Sequence, residues 1–560
     1  MHFLVKHPRL ILILASALYL LPGIHLLPLL DRDEPRFSRA TVEMMDRDNW
    51  VVPYFNNEYR FDKPPLTYWW MSVNYRIFGV NEAGARLHSV ICVGLIALLV
   101  FAFARRSGLS PPAALLAGFI WISSLQIWIH GRLAVADMPL ILGITMTLLG
   151  VWGYLFEKKQ RGYFNRDFWL IYLGLTIGFL SKGPLAFLIP GITLGLFAFL
   201  TRKHSDEKAH YAQLARSIIA GLPITLGLVA AWGIPALVQT EGAFFNVGIG
   251  EHVIERGVTS FNERLYIPGV YYLVAVLVFF SPWVATLWPS IQSNWKQRKS
   301  NPRSCFLLSW GVSSFLVFSM YKTQLPHYVL PSYPALALMA AGFLQGNERP
   351  RFHLTLWINR IILAVLMLLS LLLAIVLWSH ATLRSIPATL LTLAAMFALL
   401  LTASEFVRKG RIAYAIGALT LSALSFLPLT HFFRGAHITV ALNDQIVDRL
   451  PTTKEAYGVG FAEPSLVWYS DRFWNFSGSN SLSEINLGSS DLLVFNTRRW
   501  RMDEELIGNW LKGDAIQPMH NRREAITERF AKEQIQWVTG FSPGNSSWIE
   551  LAVITNQEAE

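Results

Sequence analysis

Residues 10–40 read LILILASALYLLPGIHLLPLLDRDEPRFSRA. From Leu10 to Leu30 the stretch is apolar but for Ser16, Tyr19 and His25, and Asp31 then opens a run with six charges in nine residues. A bilayer-spanning helix needs about 20 mostly apolar residues. The stretch is too long for a signal-peptide core and ends in Leu29-Leu30-Asp31 without a small-residue cleavage site. It predicts an anchor that stays, followed at once by a charged segment on the far side.

The same rule picks out further apolar runs near 86–104, 112–129, 135–155, 168–181, 184–200, 215–239, 268–290, 304–321, 327–345, 355–378, 386–407 and 411–430. Composition agrees. Of 560 residues 53% are hydrophobic and 15% charged, against roughly 25% charged in soluble domains. A disordered chain needs the opposite balance, and a disulfide scaffold needs more cysteines than Cys92 and Cys305. Both cysteines fall in or beside apolar runs and read as small buried hydrophobes. The expected fold class is an all-α polytopic membrane protein of about 13 transmembrane helices.

Orientation follows from basic residues in short loops. Lys6/Arg9, Arg105-Arg106, Lys158/Lys159/Arg161/Arg166, Arg202/Lys203/Lys208/Arg216, Lys296/Arg298/Lys299/Arg303, Arg349/Arg351 and Arg408/Lys409/Arg411 fall on one side if every run spans. The intervening short loops carry single basic residues: Arg132, Lys182, Lys322 and Arg384. The amino terminus is therefore expected in the cytoplasm and everything after about 431 outside. Much of the net charge of +11 is a topology signal, so no nucleic-acid partner is implied.

Two domains are expected: a membrane domain over 1–430, with long outer loops at 31–85 and 240–267, and an outer domain over 431–560. The tail has β-rich stretches at 437–441, 491–496 and 548–554 between Gly/Pro/Asn/Ser clusters, which predicts a small α/β domain. No Walker loop, dinucleotide fingerprint or clustered Cys/His spacing stands out.

Charged residues at the membrane surface are functional candidates. Asp33, two residues before Pro35, and Asp137, two residues before Pro139, both stand at predicted outer helix starts. Each reads equally well as an N-cap, accepting from first-turn amides, or as a fixed, ionised carboxylate for catalysis. Asp62-Lys63-Pro64-Pro65, Ser181-Lys182-Gly183, Glu251-His252, Arg256 and Arg264 lie on the same expected face. Converging cations there would suit a phosphate, although a lone Lys or Arg more often simply snorkels to the interface.

Asp33-Glu34-Pro35-Arg36-Phe37, Phe61-Asp62-Lys63-Pro64-Pro65 and Ala136-Asp137-Met138-Pro139 resemble motifs of the GT-C glycosyltransferases related to protein O-mannosyltransferases. Ser181-Lys182-Gly183, Glu251-His252 with Arg256, and Gln324-Leu325-Pro326-His327-Tyr328-Val329-Leu330-Pro331 are similar to the 4-amino-4-deoxy-L-arabinose transferases of lipid A. The resemblance covers roughly residues 10–345, and the tail in architecture only. It implies a GT-C membrane enzyme in a bacterial inner membrane, with undecaprenyl phosphate carrying the amino sugar as donor and a lipid A phosphate as acceptor. Asp33 would match the catalytic first-loop aspartate and Asp137 a second acidic position. Lys63, Arg256 and Arg264 would match donor-phosphate ligands, joined by Lys182, and Tyr328 would line the lipid cavity. The family position held here by Asp62 is usually Glu; with His252 it forms the one candidate pair for a divalent cation, and no other cofactor is expected. A monomer is expected, with membrane lipids around it. Two rivals stand beside this reading: a GT-C transferase of hexosamine or mannose, and a lipid flippase. Against transport, the charges gather at one face and no repeated halves are visible.

Overall fold

In the computed structural model of the chain, residues 7–157, 164–202, 208–248, 250, 269–346, 354–378, 385–445, 447, 455–478, 492–501, 518 and 520–555 are described. All of the predicted apolar runs are helical there in whole or in part. Five described helices are long and apolar enough to cross a membrane: Glu82–Arg106, Asp137–Phe156, Tyr211–Gln239, Pro387–Arg408 and Ile412–Ala436. The expected runs are thus met as helices, and thirteen full-length spans are not.

Several shorter helices arise where an apolar run breaks, at proline or glycine in two cases and at Ser124 in another. The first helix stops at Leu20, just before Pro22 and Gly23, and Gly23 has a φ of 76°. The run near 112–129 divides into Pro111–Ser123 and Leu125–His130. That near 268–290 divides into Val270–Phe279 and Val284–Gln297 around Pro282. The two breaks brace each other. Leu125 N–H donates to the Ser281 carbonyl at 3.0 Å, and Trp283 Nε1 donates to Ser123 Oγ at 3.0 Å. Non-helical backbone at membrane depth survives only with such partners.

One contiguous core, holding the buried Trp121, Trp152, Trp283 and Trp310, runs through the bundle. Helix Asp137–Phe156 is apolar and buried nearly all round, as a central helix must be. Helix Arg166–Lys182 lies against it along a glycine seam. A Cβ on Gly143 would stand 2.5 Å from the Gly174 carbonyl, and one on Gly174 would stand 2.6 Å from that of Gly143. Only small residues let two backbones approach so closely. At one end of this pair Arg106 grips Asp167 through two bonds of 2.8 and 3.0 Å and also pairs with Glu157. That brings together residues from two of the basic loops. At the other end Asp137 meets Lys182.

The first outer loop is built. Helix Asp33–Asp46 is followed by a hairpin of β1 (Tyr54–Phe55) and β2 (Glu58–Tyr59) and by helix Leu66–Phe78. The hairpin turn places Asn56 and Asn57 at φ 55° and 68°, a conformation Asn tolerates. Glu43 accepts from both their amides, at 2.8 and 3.1 Å, and so ties the hairpin to the helix.

The tail folds as a small α/β domain, as expected. Strands β3 (Ala456–Val459), β4 (Trp474–Ser477), β5 (Leu492–Arg501), β6 (His520–Asn521), β7 (Ile535–Ser542) and β8 (Ser547–Thr555) form one mixed sheet in the order β4-β3-β5-β8-β7, with β6 beside β5. β3 is parallel to β4 and β5, and β8 is antiparallel to β5 and β7. Leu492 and Val494 pack with Ile438 and Leu442 on one face, Leu493 and Phe495 with Ile526 on the other, so both faces are covered. One expectation fails. Residues 437–441, read as a strand, open helix Ile438–Gln445, and only His437 bridges to β7. The buried residues Ile438 and Leu442 are four apart, the helical period, which outweighs the β-branched Thr439 and Val440.

Candidate active site

Asp31, Asp33 and Glu34 stand within four residues and go three ways. Glu34 turns into the protein, 2% exposed, and accepts from Arg86 at 2.7 and 2.8 Å and from the amides of Leu30 and Ala134 at 2.9 and 2.8 Å. Arg86 also donates to the carbonyls of Ile24, Leu27 and Pro28, so this buried pair leaves no charge unanswered. Asp31 turns to the C-terminal domain and accepts from Ser465. Burial, then the neighbouring Glu463, pushes its carboxyl up to about 7. Asp33 is exposed, faces a cavity, and makes no side-chain hydrogen bond or ion pair among the described residues.

The cap reading of the two aspartates does not hold. Asp33 and Asp137 are each the first residue of their helices, after Arg32 and Ala136, and neither helix has a side-chain cap. A carboxylate that bonds no first-turn amide is available to other groups.

The cavity measures about 600 Å³ and is lined by Asp33, Asp62, Lys63, Asp137, Lys182 and Tyr328. It brings together six of the nine predicted site residues. His252, Arg256 and Arg264, with Glu251, lie outside the described residues. Arg36, Arg60 and His327 line the cavity as well and were not predicted as site residues.

Its polar end is built by the first outer loop. As the chain leaves β2, Arg60 donates to Tyr68 Oη at 3.1 Å and to Asp62 Oδ2 at 2.8 Å. Lys63 Nζ donates to Asp62 Oδ1 at 2.6 Å. Arg36, one helical turn after Asp33, makes no ion pair among the described residues. Its pKa is lowered by burial first and then by the Arg60 cation, while Asp33 and Asp62 oppose the shift. A half-buried guanidinium held beside another cation is short of an anion. For a divalent cation the donor set is poor: both oxygens of Asp62 are engaged by Arg60 and Lys63, and no cluster of three or more His, Cys, Asp or Glu exists among the described residues. No step is routed through a metal.

Beneath the loop, Asp137 Oδ1 accepts from Lys182 Nζ at 2.7 Å, with His327 Nε2 at 4.0 Å. His327 stacks on His130 at 4.7 Å between ring centroids, and Gln126 Nε2 lies 2.9 Å from His130 Nδ1. The Lys182 ammonium lies 5.8 Å from the Tyr328 ring centroid. Phe179, Leu185, Val229, Trp232, Phe244 and Phe318 form an apolar wall of the same cavity. A cationic mouth over an apolar slot fits an amphiphile with an anionic head.

Two of the missed residues had a signal. Arg36 follows Asp33 by three, which puts both on one helix face. His327 belongs to the motif that holds Tyr328. Arg60 had none, because only the hairpin brings it to the cavity.

The family model of dolichyl-phosphate-mannose-protein mannosyltransferases matches residues 10–235. A relative from Photorhabdus laumondii, named undecaprenyl phosphate-alpha-4-amino-4-deoxy-L-arabinose arabinosyl transferase, is 31% identical over 327 residues, 57% of each chain. One of the same name from Pectobacterium atrosepticum is 32% identical over 337 residues, 60% of this chain and 58% of its own. The chain thus spans under two thirds of the length of these relatives. The crystal structure of ArnT from Cupriavidus metallidurans bound to undecaprenyl phosphate superposes with a TM-score of 0.72 at 18% identity, covering 98% of this chain and 97% of that one. The resemblance to the aminoarabinose transferases that the motifs carried is thus met by named relatives, the resemblance to protein O-mannosyltransferases by the family model over residues 10–235, and the fold is that of a solved ArnT.

Proposed function

We propose that this chain is an integral-membrane glycosyltransferase that moves 4-amino-4-deoxy-L-arabinose from undecaprenyl phosphate to a phosphate of lipid A at the outer face of a bacterial inner membrane. The observation that carries the reading is the cavity itself, whose lining joins Arg36, Arg60 and Lys63 to an apolar wall and includes Asp33, which has no side-chain partner among the described residues. The names of the relatives and the fold of an undecaprenyl phosphate-bound ArnT support the same donor. In this reading the amino terminus is cytoplasmic, the domain after 431 is periplasmic, and the working unit is a monomer. An alkaline phosphatase fusion at the carboxy terminus should be active and a GFP fusion there dark; the reverse would put the cavity on the wrong face.

The prenyl chain lies along the apolar wall, and the donor phosphate sits on Arg36 and Lys63. An oxygen of the acceptor phosphate attacks the anomeric carbon as the bond from that carbon to the donor phosphate oxygen breaks. The electron pair goes to the departing phosphate, where the cations bear the developing charge. The acceptor is already anionic, so Asp33 needs only to orient it or the sugar ammonium. A hydroxyl acceptor would require Asp33 to take a proton. Asp137 holds Lys182 in place through their ion pair. By the resemblance, Arg256 and Arg264 would serve as further donor-phosphate ligands, and His252 would be the partner of Asp62 for a divalent cation. Mass spectrometry of lipid extracts, from a strain lacking its own transferase with and without this chain, tests the reading. Lipid A gaining the mass of one amino pentose supports it. A gained hexose or hexosamine, or no change, overturns it.

A further inference from the structure

Among the described residues the C-terminal domain contributes none to the cavity lining, yet it grips the loop that carries Asp33. Asp31 Oδ1 accepts from the Ser465 amide at 2.8 Å, and Asp31 Oδ2 accepts from the Ser465 hydroxyl at 2.5 Å. Ser465 is the second residue of helix Pro464–Ser470, whose own cap position, Glu463, makes no side-chain cap bond. A first-turn amide of that helix therefore finds its acceptor on the first outer loop. The same segment reaches the loop on either side of Asp31. The Leu29 amide donates to Tyr469 Oη at 2.9 Å, and Asn56 exchanges two bonds of 2.8 Å with the backbone of Trp474.

Asp33 itself has no side-chain partner among the described residues, so its place is set by its neighbours in the chain. Glu34 is held by the membrane domain through Arg86, and Asp31 by the outer domain through Ser465. We propose that Asp31 is a positioning residue for the transfer, and that the C-terminal domain acts through the Asp31–Ser465 contact to hold Asp33 in register with the cations of the cavity. The proposal rests on the reading of Asp33 as the group that meets the substrate.

The test uses the full-length chain, purified and assayed with aminoarabinosyl undecaprenyl phosphate and lipid A. Asp31→Ala should lower kcat about 10- to 100-fold, the range for a displaced catalytic group, with donor KM within about twofold. Asp31→Asn should recover most of the rate, because its amide can still accept from the Ser465 amide and donate to the hydroxyl. Ser465→Ala should lose only part of the rate, since the backbone bond remains. In hydrogen exchange, Ser465→Ala should speed amides in the first outer loop and leave helix Glu82–Arg106 unchanged. A normal kcat in Asp31→Ala, a loss confined to donor KM, or Asp31→Asn as poor as Asp31→Ala would overturn the proposal. If Asp31→Ala does not accumulate, the exchange result decides: faster loop exchange supports the clamp and unchanged exchange overturns it. A wild-type chain inactive on this donor would instead sink the proposed function, and the same exchange comparison would still decide the clamp.

Discussion

The two ends of the helical bundle both carry acids and bases, and they use them differently. At the end away from the cavity, Arg106 answers both Asp167 and Glu157, and Glu405 is gripped by Arg360, Arg408 and Lys409. These charges answer one another and brace helix ends. At the cavity end Glu34, Asp62 and Asp137 are equally well paired, but Asp33 and Arg36 are not. A protein gains nothing in stability from holding a half-buried guanidinium beside another cation. The teaching of the comparison is that charge alone does not mark the site; a charge left unanswered where pairing was available does.

The sharpest way to break this contrast is Asp33→Asn. As a group that meets the substrate, Asp33 should take about 10³-fold or more of the transfer rate with it. As a residue with no capping bond or partner, it should leave the melting temperature unmoved. Rate and thermal unfolding, measured on one preparation, check both halves, and a destabilised but active variant would contradict them. Next in size, Arg36→Ala should lose about 10²-fold in turnover through missing charge stabilisation, again without loss of fold. Lys63→Ala should lose activity too but also remove the Lys63 bond to Asp62 Oδ1, so some thermal stability should go with it.

At the opposite end the expectation inverts. Arg106→Ala removes two charge-assisted bonds from the buried Asp167, which should cost about 2–3 kcal/mol, below the full buried-pair range because Arg106 is partly exposed. Denaturation curves should register that loss while turnover per folded molecule stays near wild type. A smaller effect concerns Asp31, whose carboxyl sits at about 7 in the folded chain against an ordinary 3.8. The folded state thus holds a proton that the unfolded chain gives up near pH 4. The favourable contribution is whole below that pH and is lost as pH rises through 7. The melting temperature should therefore fall between about pH 4 and pH 7, and Asp31→Asn should flatten that slope. The smallest expected effect is none: a chelator should leave transfer unchanged, because Asp62 spends its oxygens on Arg60 and Lys63. Activity lost to chelation and restored by a divalent ion would reopen the pairing of Asp62 with His252.

Much of this was legible in the chain itself. Apolar runs of the right length located the helices, since a bilayer imposes one length on every segment that crosses it. Turn-rich, β-branched stretches announced the outer domain. Asp33, Lys63, Asp137 and Lys182 stood out because charges directly after apolar runs are costly and therefore few. What failed was local. Residues 437–441 have strand-like composition, and only their packing against the sheet made them helical. The helix breaks at Ser124 and Pro282 lie inside continuous apolar runs, and the bonds that stabilise them come from distant residues.

The sequence by itself determined which runs are apolar enough for a membrane and which charges lie at their ends, because the cost of placing a side chain in lipid depends on that side chain alone. Only the tertiary structure decided what three acidic residues in four would become. Glu34 is an internal brace because Arg86, 52 residues away, is buried against it. Asp31 is a link to the outer domain because Ser465, 434 residues away, presents a helix amide to it. Asp33 faces the cavity with no side-chain partner among the described residues. Three nearly identical carboxylates differ only in what long-range packing brings within 3 Å of them, and no local reading of the chain contains that information.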